Sequence, residues 1–409
     1  MKRSSGLHVS LLLLLATAAP PQARADVVTD WNRTATQIAA AAKLPPPPAN
    51  RAIAMVQTAV YAATNAITRQ YPASELTLQA PAGASVDAAV AAANHKLLLE
   101  LVPAQQAATQ AAYDAALAKV ADGQAKRDGI AVGEQAAAAV LAARANDVVV
   151  AVESYRPITQ AGVYVPTAVP AVPQWPQRVP WLMRDAAQFR PGPPPALSSA
   201  IWARDYNESQ AFGGKAGSRR TPAHTDMARF WEATLPVIYY GVVQSVADRP
   251  GRTVTRNARL LMAVAQSMDD ALIAVFDAKY HYHFWRPITA IRNGDQDGND
   301  ATVRDASWLP FIDTPMHPEY PCAHCIVASA LGTVLKAEVG NATVPVLATT
   351  SYTANDSRRE WKSIDAFVLE VSEARIYDGV HFRNSTEVGR AMGRQVGGLA
   401  AAKYLQSGP

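Results

Sequence analysis

The sequence predicts a protein built almost entirely of helices. Apolar residues recur every three or four positions over long stretches, and strand signals are scarce. A proline-rich interval, residues 156–198, separates two helical regions. The 409 residues suffice for one large domain or two smaller ones. The apolar share of 49% and the charged share of 18% are ordinary for a globular protein with a sizeable core.

Residues 1–25 predict an export signal, so that the mature chain begins near Asp26. Two basic residues precede the apolar run Leu11–Leu15, and residues 23–25 form a small-x-small cleavage site. The run is too short to cross a bilayer, so no membrane span is expected. We therefore expect a periplasmic or secreted protein.

Cleavage at this point changes the charge of the working protein. It removes three basic residues and no acids, leaving 35 basic against 34 acidic residues, a net charge of +1 rather than +4. The mature sequence shows no basic face and no arginine-rich arm, and we therefore predict no nucleic-acid partner.

The N-terminal helical part is expected to span residues 26–155. Its predicted helices cover residues 27–43, residues 50–68, a segment that Ser85 or Asp87 caps and Pro103 ends, and two helices within residues 104–145. Prolines 45–48 are expected to interrupt the first two helices. Residues 148–152 read as one short strand.

The proline-rich crossover has two interpretations, an irregular excursion packed over the domain or a disordered linker. Trp175, Trp181 and Phe189 are interleaved with the prolines. Disordered segments are poor in aromatic residues, so this composition favours packing.

The C-terminal helical part, residues 199–409, carries three short segments at predicted helix ends. Helices are predicted over residues 257–277, 323–338 and 357–376. The segments at their ends are Lys279-(x6)-Arg286-Pro287, Pro321-Cys322-Ala323-His324 and Arg375-(x5)-His381. We expect the parts 26–155 and 199–409 to form one compact domain.

These segments predict one oxyanion pocket. Lysine supplies a compact charge and arginine a bidentate fork. Free amides at a helix start favour an anion, and a histidine in that first turn could act as general acid or base. A second histidine could attack phosphorus or ligate a metal oxide. Taken singly, each basic residue reads as a surface residue and each histidine as a core residue; the combination favours a site.

The three segments resemble the signature of the vanadium-dependent haloperoxidase and type 2 phosphatidic acid phosphatase superfamily. That signature is Lys-x6-Arg-Pro, Pro-Ser-Gly-His and Ser-Arg-x5-His-x3-Asp. The phrases at residues 279–292, 317–321 and 376–383 are similar to the haloperoxidase-like branch, and residues 31–146 are similar more weakly. The resemblance implies an all-α fold of helical bundles with the anion site in a bundle core.

The resemblance also implies roles for these residues. Lys279, Arg286, Arg375 and the backbone at Ala323 would hold the equatorial oxygens of vanadate, with Cys322 at the position of the family serine. His381 would be the apical ligand of the metal. His324 would assist the binding of hydrogen peroxide, which then oxidises halide.

Two other functions remain open at this point. If phosphate is the natural oxyanion, the enzyme is an acid-phosphatase-type phosphomonoester hydrolase with His381 as nucleophile and His324 as acid. The other alternative is an inactive, oxyanion-binding helical protein. A homo-oligomer is compatible with all three.

The chain departs from the signature at several positions. Cys322 and Ala323 replace serine and glycine, Ala374 replaces the leading serine of the third motif, and Ser385 replaces its aspartate. A thiol is a weak donor, and a thiolate would repel the anion, so we expect reduced activity. Losing the aspartate that orients the histidine weakens the phosphatase interpretation, unless Glu387 takes its place.

Three further patterns have ordinary interpretations. Cys322 and Cys325 form a C-x-x-C sequence, for which a structural disulfide is favoured over thiol redox catalysis or a zinc site. Residues 295–300 resemble a calcium loop but lack its glycine and final acid, which favours a polar turn. Asp226, Asp269 and Asp270 are either partners of the histidines or helix-surface residues.

Overall fold

The computed structural model describes residues 26–72, 76–147, 155–166 and 168–406. The predicted export signal and the predicted strand at residues 148–152 lie outside these ranges. The chain forms thirteen α-helices and one two-stranded sheet within the described residues, and the predicted all-α fold is confirmed. The helices are α1 (Val27–Ala41), α2 (Pro46–Thr68), α3 (Val86–Leu101), α4 (Gln106–Leu117), α5 (Gln124–Ala143), α6 (Ala200–Gly213), α7 (Pro222–Phe230), α8 (Pro236–Ala247), α9 (Val254–Tyr282), α10 (Pro287–Arg292), α11 (Ala323–Val339), α12 (Ile364–Tyr377) and α13 (Arg383–Ala400), and the strands are β1 (Leu347–Ser351) and β2 (Ser357–Trp361).

The first helices begin at the capping residues that the sequence supplies. The Asp26 carboxylate accepts from the amides of Val28 and Thr29, and the Ser85 hydroxyl accepts from the amide of Ala88. The prediction for α2 was wrong at its start, because the helix begins at Pro46 and includes the prolines. Proline is tolerated in the first turn, where its missing N–H would have no intrahelical acceptor.

Helix α9 is the central element of the fold. It runs for 29 residues and is buried along most of its length. It packs against α2 on one side and α11 on the other, and α11 packs in turn on α13. One continuous apolar core extends from Val28 in α1 to Ala400 in α13.

The helix predicted over residues 357–376 is wrong in its first part. Residues 357–361 form β2, which pairs antiparallel with β1, and α12 starts only after Ser363, whose hydroxyl accepts from the amide of Ala366. The cross-strand pairing, together with packing of β1 on α8, outweighs the helical preference of this arginine- and glutamate-rich stretch.

The proline-rich crossover packs on α9, as its tryptophans predicted. Trp175 is buried, and the Asp270 carboxylate accepts from the amides of Trp181, Leu182 and Met183 at 2.8, 2.8 and 3.0 Å. The Asp269 carboxylate accepts from the Trp181 indole at 2.7 Å. Among the residues that the structure describes, no helix combines the length and apolarity needed to cross a membrane.

Candidate oxyanion site

The turn after α9 places Lys279 and Arg286 at one end of the bundle. The helix continues past the predicted end at residue 277, through Lys279, to Tyr282. His283 ends it in the left-handed conformation, with φ of 51°. The chain then reverses, and Arg286 becomes the residue before the first turn of α10. The bend predicted from Pro287 is confirmed.

Lys279 is fully buried and anchors the segment before α11. Its Nζ donates to the carbonyls of Pro318 and Glu319 at 3.0 and 2.7 Å. Burial, aided by the charge of Arg286, pushes the pKa of Lys279 well below its ordinary value. An anion bound beside this amine would oppose that shift and favour its protonated form.

Arg286 joins two of the predicted segments. Its Nε donates to the carbonyl of His317 at 3.0 Å, and its Nη1 donates to the carbonyl of Val380 at 2.8 Å. Its Nη2 lies 3.0 Å from Nδ1 of His317. Burial lowers the pKa of Arg286 to about 10, which leaves the guanidinium charged at neutral pH.

The start of α11 carries a disulfide between Cys322 and Cys325, with the two Cα atoms 5.3 Å apart. This confirms the structural interpretation of the C-x-x-C sequence and corrects the expectation of a thiolate in the pocket. The Cys322 sulfur accepts from the amide of Cys325 at 3.2 Å and has no proton to donate. The amides of Ala323 and His324 are the first two of the helix, where no intrahelical acceptor exists.

Arg375 lies buried near the end of α12. Its Nη1 donates to the carbonyl of Trp231 at 2.9 Å and to Oδ2 of Asp378 at 2.5 Å. Its Nε is buried without a hydrogen-bond partner among the described residues. Burial raises the pKa of Asp378 to about 7, although Arg375 opposes the change.

The predicted turn at Asp378-Gly379 is confirmed. Gly379 has φ of +75°, and a β-carbon there would lie 2.3 Å from the carbonyl oxygen of Gly213 in α6. Only glycine fits this close approach of two backbones. The contact fixes the path of the chain into His381.

His381 is buried with both ring nitrogens engaged. Its Nδ1 lies 2.6 Å from Oε1 of Glu319, and its Nε2 lies 3.3 Å from Nη1 of Arg286. Burial and the charge of Arg286 hold the pKa of His381 well below its ordinary value, which favours the neutral ring. A guanidinium can only donate and a carboxylate accepts, so the two contacts together favour the lone pair on Nε2 and the proton on Nδ1.

His324 and Ala323 are slightly more exposed than the basic residues of the site. They are 7% and 8% exposed, whereas Lys279, Arg286 and Arg375 are at most 1% exposed. The Thr234 hydroxyl lies 2.9 and 2.8 Å from Nδ1 and Nε2 of His324. Burial, followed by the charge of Arg375, lowers the pKa of His324 well below its ordinary value. A neutral imidazole in this position can accept a proton.

The predicted site residues thus come together. Arg375 acts electrostatically on Lys279, Arg286, His324 and His381. Hydrogen bonds from Lys279 to the carbonyls of residues 318–319, and from Arg286 to the carbonyl of Val380, join the three segments to one another. The arrangement can hold an anion beside the neutral ring of His381, with His324 as a second neutral histidine in the site.

Glu319 is the site residue that the sequence interpretation missed. It is fully buried and contacts His381 directly. The residue lies inside the phrase His317-Pro-Glu-Tyr-Pro321 that carried the family resemblance. An acid between Pro318 and Pro321, directly before the second predicted segment, was the available signal.

Three alternatives for carboxylate partners are wrong. Glu387 does not replace the missing aspartate, because its side chain is 44% exposed and lies 3.9 Å from Arg204. Asp269 and Asp270 do not contact the histidines; they bind the crossover and Arg51 instead.

The calcium-like and zinc interpretations find no support in the described part of the chain. Asp297 of the calcium-like loop is buried and accepts from the Trp202 indole at 2.8 Å and from the Thr302 hydroxyl. This satisfies the loop internally and confirms a polar turn. No group of three or more metal-ligating side chains occurs among the described residues.

Comparison with known proteins shows which of them this chain is similar to. Residues 259–407 match the family model described as the VCPO second helical-bundle domain. This part of the chain is similar to that domain. It includes all three site segments. None of the curated proteins compared with the chain matches it significantly.

Solved structures of vanadium haloperoxidases share the fold over nearly the whole chain. A bacterial vanadium-dependent iodoperoxidase superposes with a TM-score of 0.78 at 22% identity, covering 94% of this chain and 98% of its own. A bacterial vanadium-dependent chloroperoxidase superposes in its apo form with a TM-score of 0.71 at 17% identity and in its holo form with 0.70 at 16%. Both chloroperoxidase forms cover 89% of this chain and 94% of theirs. The predicted resemblance to the haloperoxidase-like branch is confirmed in the fold and in the second bundle.

Proposed function

We propose that this chain is an exported haloperoxidase-like enzyme that binds vanadate and uses hydrogen peroxide to oxidise halide. The observation that carries the proposal is the buried His381 ring, which Glu319 and Arg286 hold and on which the charges of Arg286, Lys279 and Arg375 act. The export signal predicted at residues 1–25 supports the location.

The donors present fit a tetrahedral or trigonal-bipyramidal oxyanion. Arg375 has a buried Nε without a partner in the described residues, and Ala323 offers a helix-start amide. Lys279 uses its amine for two carbonyls and keeps one N–H. Together with Arg286, these groups would hold the oxygens of vanadate, and His381 Nε2 would be its protein ligand.

Vanadate, when bound, supplies a Lewis-acid centre that activates peroxide towards halide. The residues of the chain supply position and proton transfer. Arg286 and Glu319 keep the His381 lone pair directed and unprotonated. His324, which is neutral, would take a proton from peroxide and return one to the departing oxygen. The overall change is hydrogen peroxide, halide and a proton giving hypohalous acid and water.

We expect activity to be lower than in relatives that keep the family serine. The disulfide removes the thiolate that would repel an anion, but it also removes any donor from the Cys322 side chain. The site therefore holds the oxyanion with one hydrogen bond fewer.

One observation favours the second candidate, phosphomonoester hydrolysis through a phospho-histidine. The loss of aspartate at Ser385 does not leave His381 without a carboxylate, because Glu319 contacts Nδ1. A histidine oriented in this way is also suited to attack phosphorus.

Two assays in parallel distinguish these functions: bromide and iodide oxidation with vanadate and peroxide, and hydrolysis of a phosphomonoester. We expect halide oxidation that depends on vanadate and disappears in His381→Ala. His324→Ala should lower turnover by roughly 10²–10⁴-fold while vanadate affinity stays within a few-fold. Hydrolysis without halide oxidation would establish the second candidate instead. Neither activity, with no binding of vanadate or phosphate by calorimetry, would overturn both.

A further inference from the structure

We propose that Glu319, in the segment before α11, is the positioning residue of His381. It orients the histidine, as the aspartate of the family motif would from position 385. Its role at a bound oxyanion rests on the function proposed above. Its effect on the imidazole itself does not.

The geometry assigns one acceptor to the Nδ1 proton. Oε1 of Glu319 lies 2.6 Å from Nδ1 and also accepts from the amide of Phe382 at 3.1 Å. One carboxylate oxygen therefore holds the ring and the backbone that follows it. This pair of contacts fixes both the tautomer and the plane of the imidazole.

Glu319 is itself held at its main chain. Its amide donates to the carbonyl of Phe284 at 2.9 Å, and its carbonyl accepts from Lys279 Nζ at 2.7 Å. The basic residue of the first segment thus fixes the position of the acid that orients the histidine of the third. The acid is completely buried, so water does not compete for the contact.

The neighbours of His381 leave no equal alternative. The hydroxyl of Ser385 lies 3.4 Å from Nδ1, at the outer limit of a hydrogen bond. Arg286 contacts the other nitrogen. Ser385 is 1% exposed and close enough that an aspartate there could reach the ring in the space that a shortened residue 319 would leave.

The first measurement uses the protein without any oxyanion. ¹⁵N NMR of histidine-labelled wild type is expected to show His381 with the proton on Nδ1 and the lone pair on Nε2, the signals being assigned by their loss in His381→Gln. Glu319→Ala, in which Nδ1 loses its acceptor, should show a larger share of the Nε2–H tautomer than wild type. Glu319→Gln, whose amide can donate to Nδ1 as well as accept from it, should show a smaller increase. Glu319→Gln keeps the test available if the alanine variant does not fold.

The second measurement is the dissociation constant for vanadate and, separately, for inorganic phosphate. Glu319→Ala is expected to weaken vanadate binding by about 10–100-fold. The double variant Glu319→Ala, Ser385→Asp should recover affinity to within a few-fold of wild type and restore the Nδ1–H tautomer. A merely structural role of Glu319 would not be rescued from another position.

The matched control is Glu338→Gln. Glu338 is also a buried acid and lies near the end of α11, far from the site. It forms an ion pair with Arg252 at 2.7 Å. It should lower stability and leave both the tautomer and the affinity unchanged. An unchanged tautomer in both Glu319 variants would overturn the proposal, as would a folded double variant without recovery. If wild type binds neither anion, the proposed function fails, and the tautomer measurement still decides the role of Glu319.

Discussion

Restoring the family serine at position 322 should strengthen oxyanion binding while it weakens the fold. The variant is Cys322→Ser with Cys325→Ala, which removes the disulfide and leaves no free thiol. A serine hydroxyl can accept from the amide of residue 325, as the Cys322 sulfur does at 3.2 Å, and still donate its own proton to the anion. The disulfide sulfur can only accept.

The substitution should weaken the fold and strengthen vanadate binding, and the size of each effect can be stated separately. The disulfide closes a loop with a sequence separation of only 3, so its loss should lower the free energy of unfolding by about 2 kcal/mol. A fully buried hydroxyl that donates to a charged oxygen contributes about 1.5–3 kcal/mol. The dissociation constant for vanadate should therefore fall by roughly 10–150-fold.

The matched control is Cys322→Ala with Cys325→Ala, which loses the same disulfide and gains no donor. Urea unfolding should show that both double variants are destabilised, and calorimetric titration with vanadate should separate them. Equal dissociation constants for the serine and alanine variants would show that the side chain at 322 does not contact the anion, and the explanation for reduced activity would fail.

Two further predictions concern the scaffold. Gly379→Ala should lower the free energy of unfolding by more than about 2 kcal/mol, because its β-carbon would lie 2.3 Å from the Gly213 carbonyl oxygen. The control is Gly298→Ala, where φ is +70° and no atom is close, and it should lower the free energy of unfolding by only about 1 kcal/mol. Equal losses in urea unfolding would contradict this prediction. Burial raises the pKa of Asp270 to about 6, so the folded state favours its protonated form. The stabilisation from the protonated form is complete below about pH 4 and is lost as pH rises through 6, by up to roughly 3 kcal/mol of unfolding free energy. Over this pH range the free energy of unfolding should fall less steeply in Asp270→Asn than in wild type. Parallel curves for the two proteins would refute the raised pKa.

The parts of the site that were predictable from the sequence are those set by local signals. Pro321 and the apolar run after it place the start of α11, and Asp378-Gly379 places the turn before His381. Lys279 and Arg286 were recognised through their spacing. Each of these features depends on a few neighbouring residues, so the sequence pattern contains it.

The parts that were missed depend on contacts between distant segments. Glu319 obtains its role from Lys279, 40 positions earlier, and His381, 62 positions later. The strand Ser357–Trp361 exists because residues 347–351 pair with it. Asp269 and Asp270 read as partners of the histidines or surface residues until the crossover, some 88 positions earlier, is placed on them.

The crossover has a consequence for dividing the chain. Arg51 of α2 and the Trp181 indole both bind the carboxylate of Asp269, across separations of 218 and 88 positions. A fragment consisting of residues 259–407 alone would contain two buried acids whose partners belong to the absent half. Its complement would contain Arg51, which keeps its ion pair with Asp147 but loses Asp269, and amides of the crossover without acceptors. When the two halves are expressed together as separate polypeptides, we expect them to be soluble only if they reassemble. Complementation between such fragments would then measure how tightly the crossover joins the two halves.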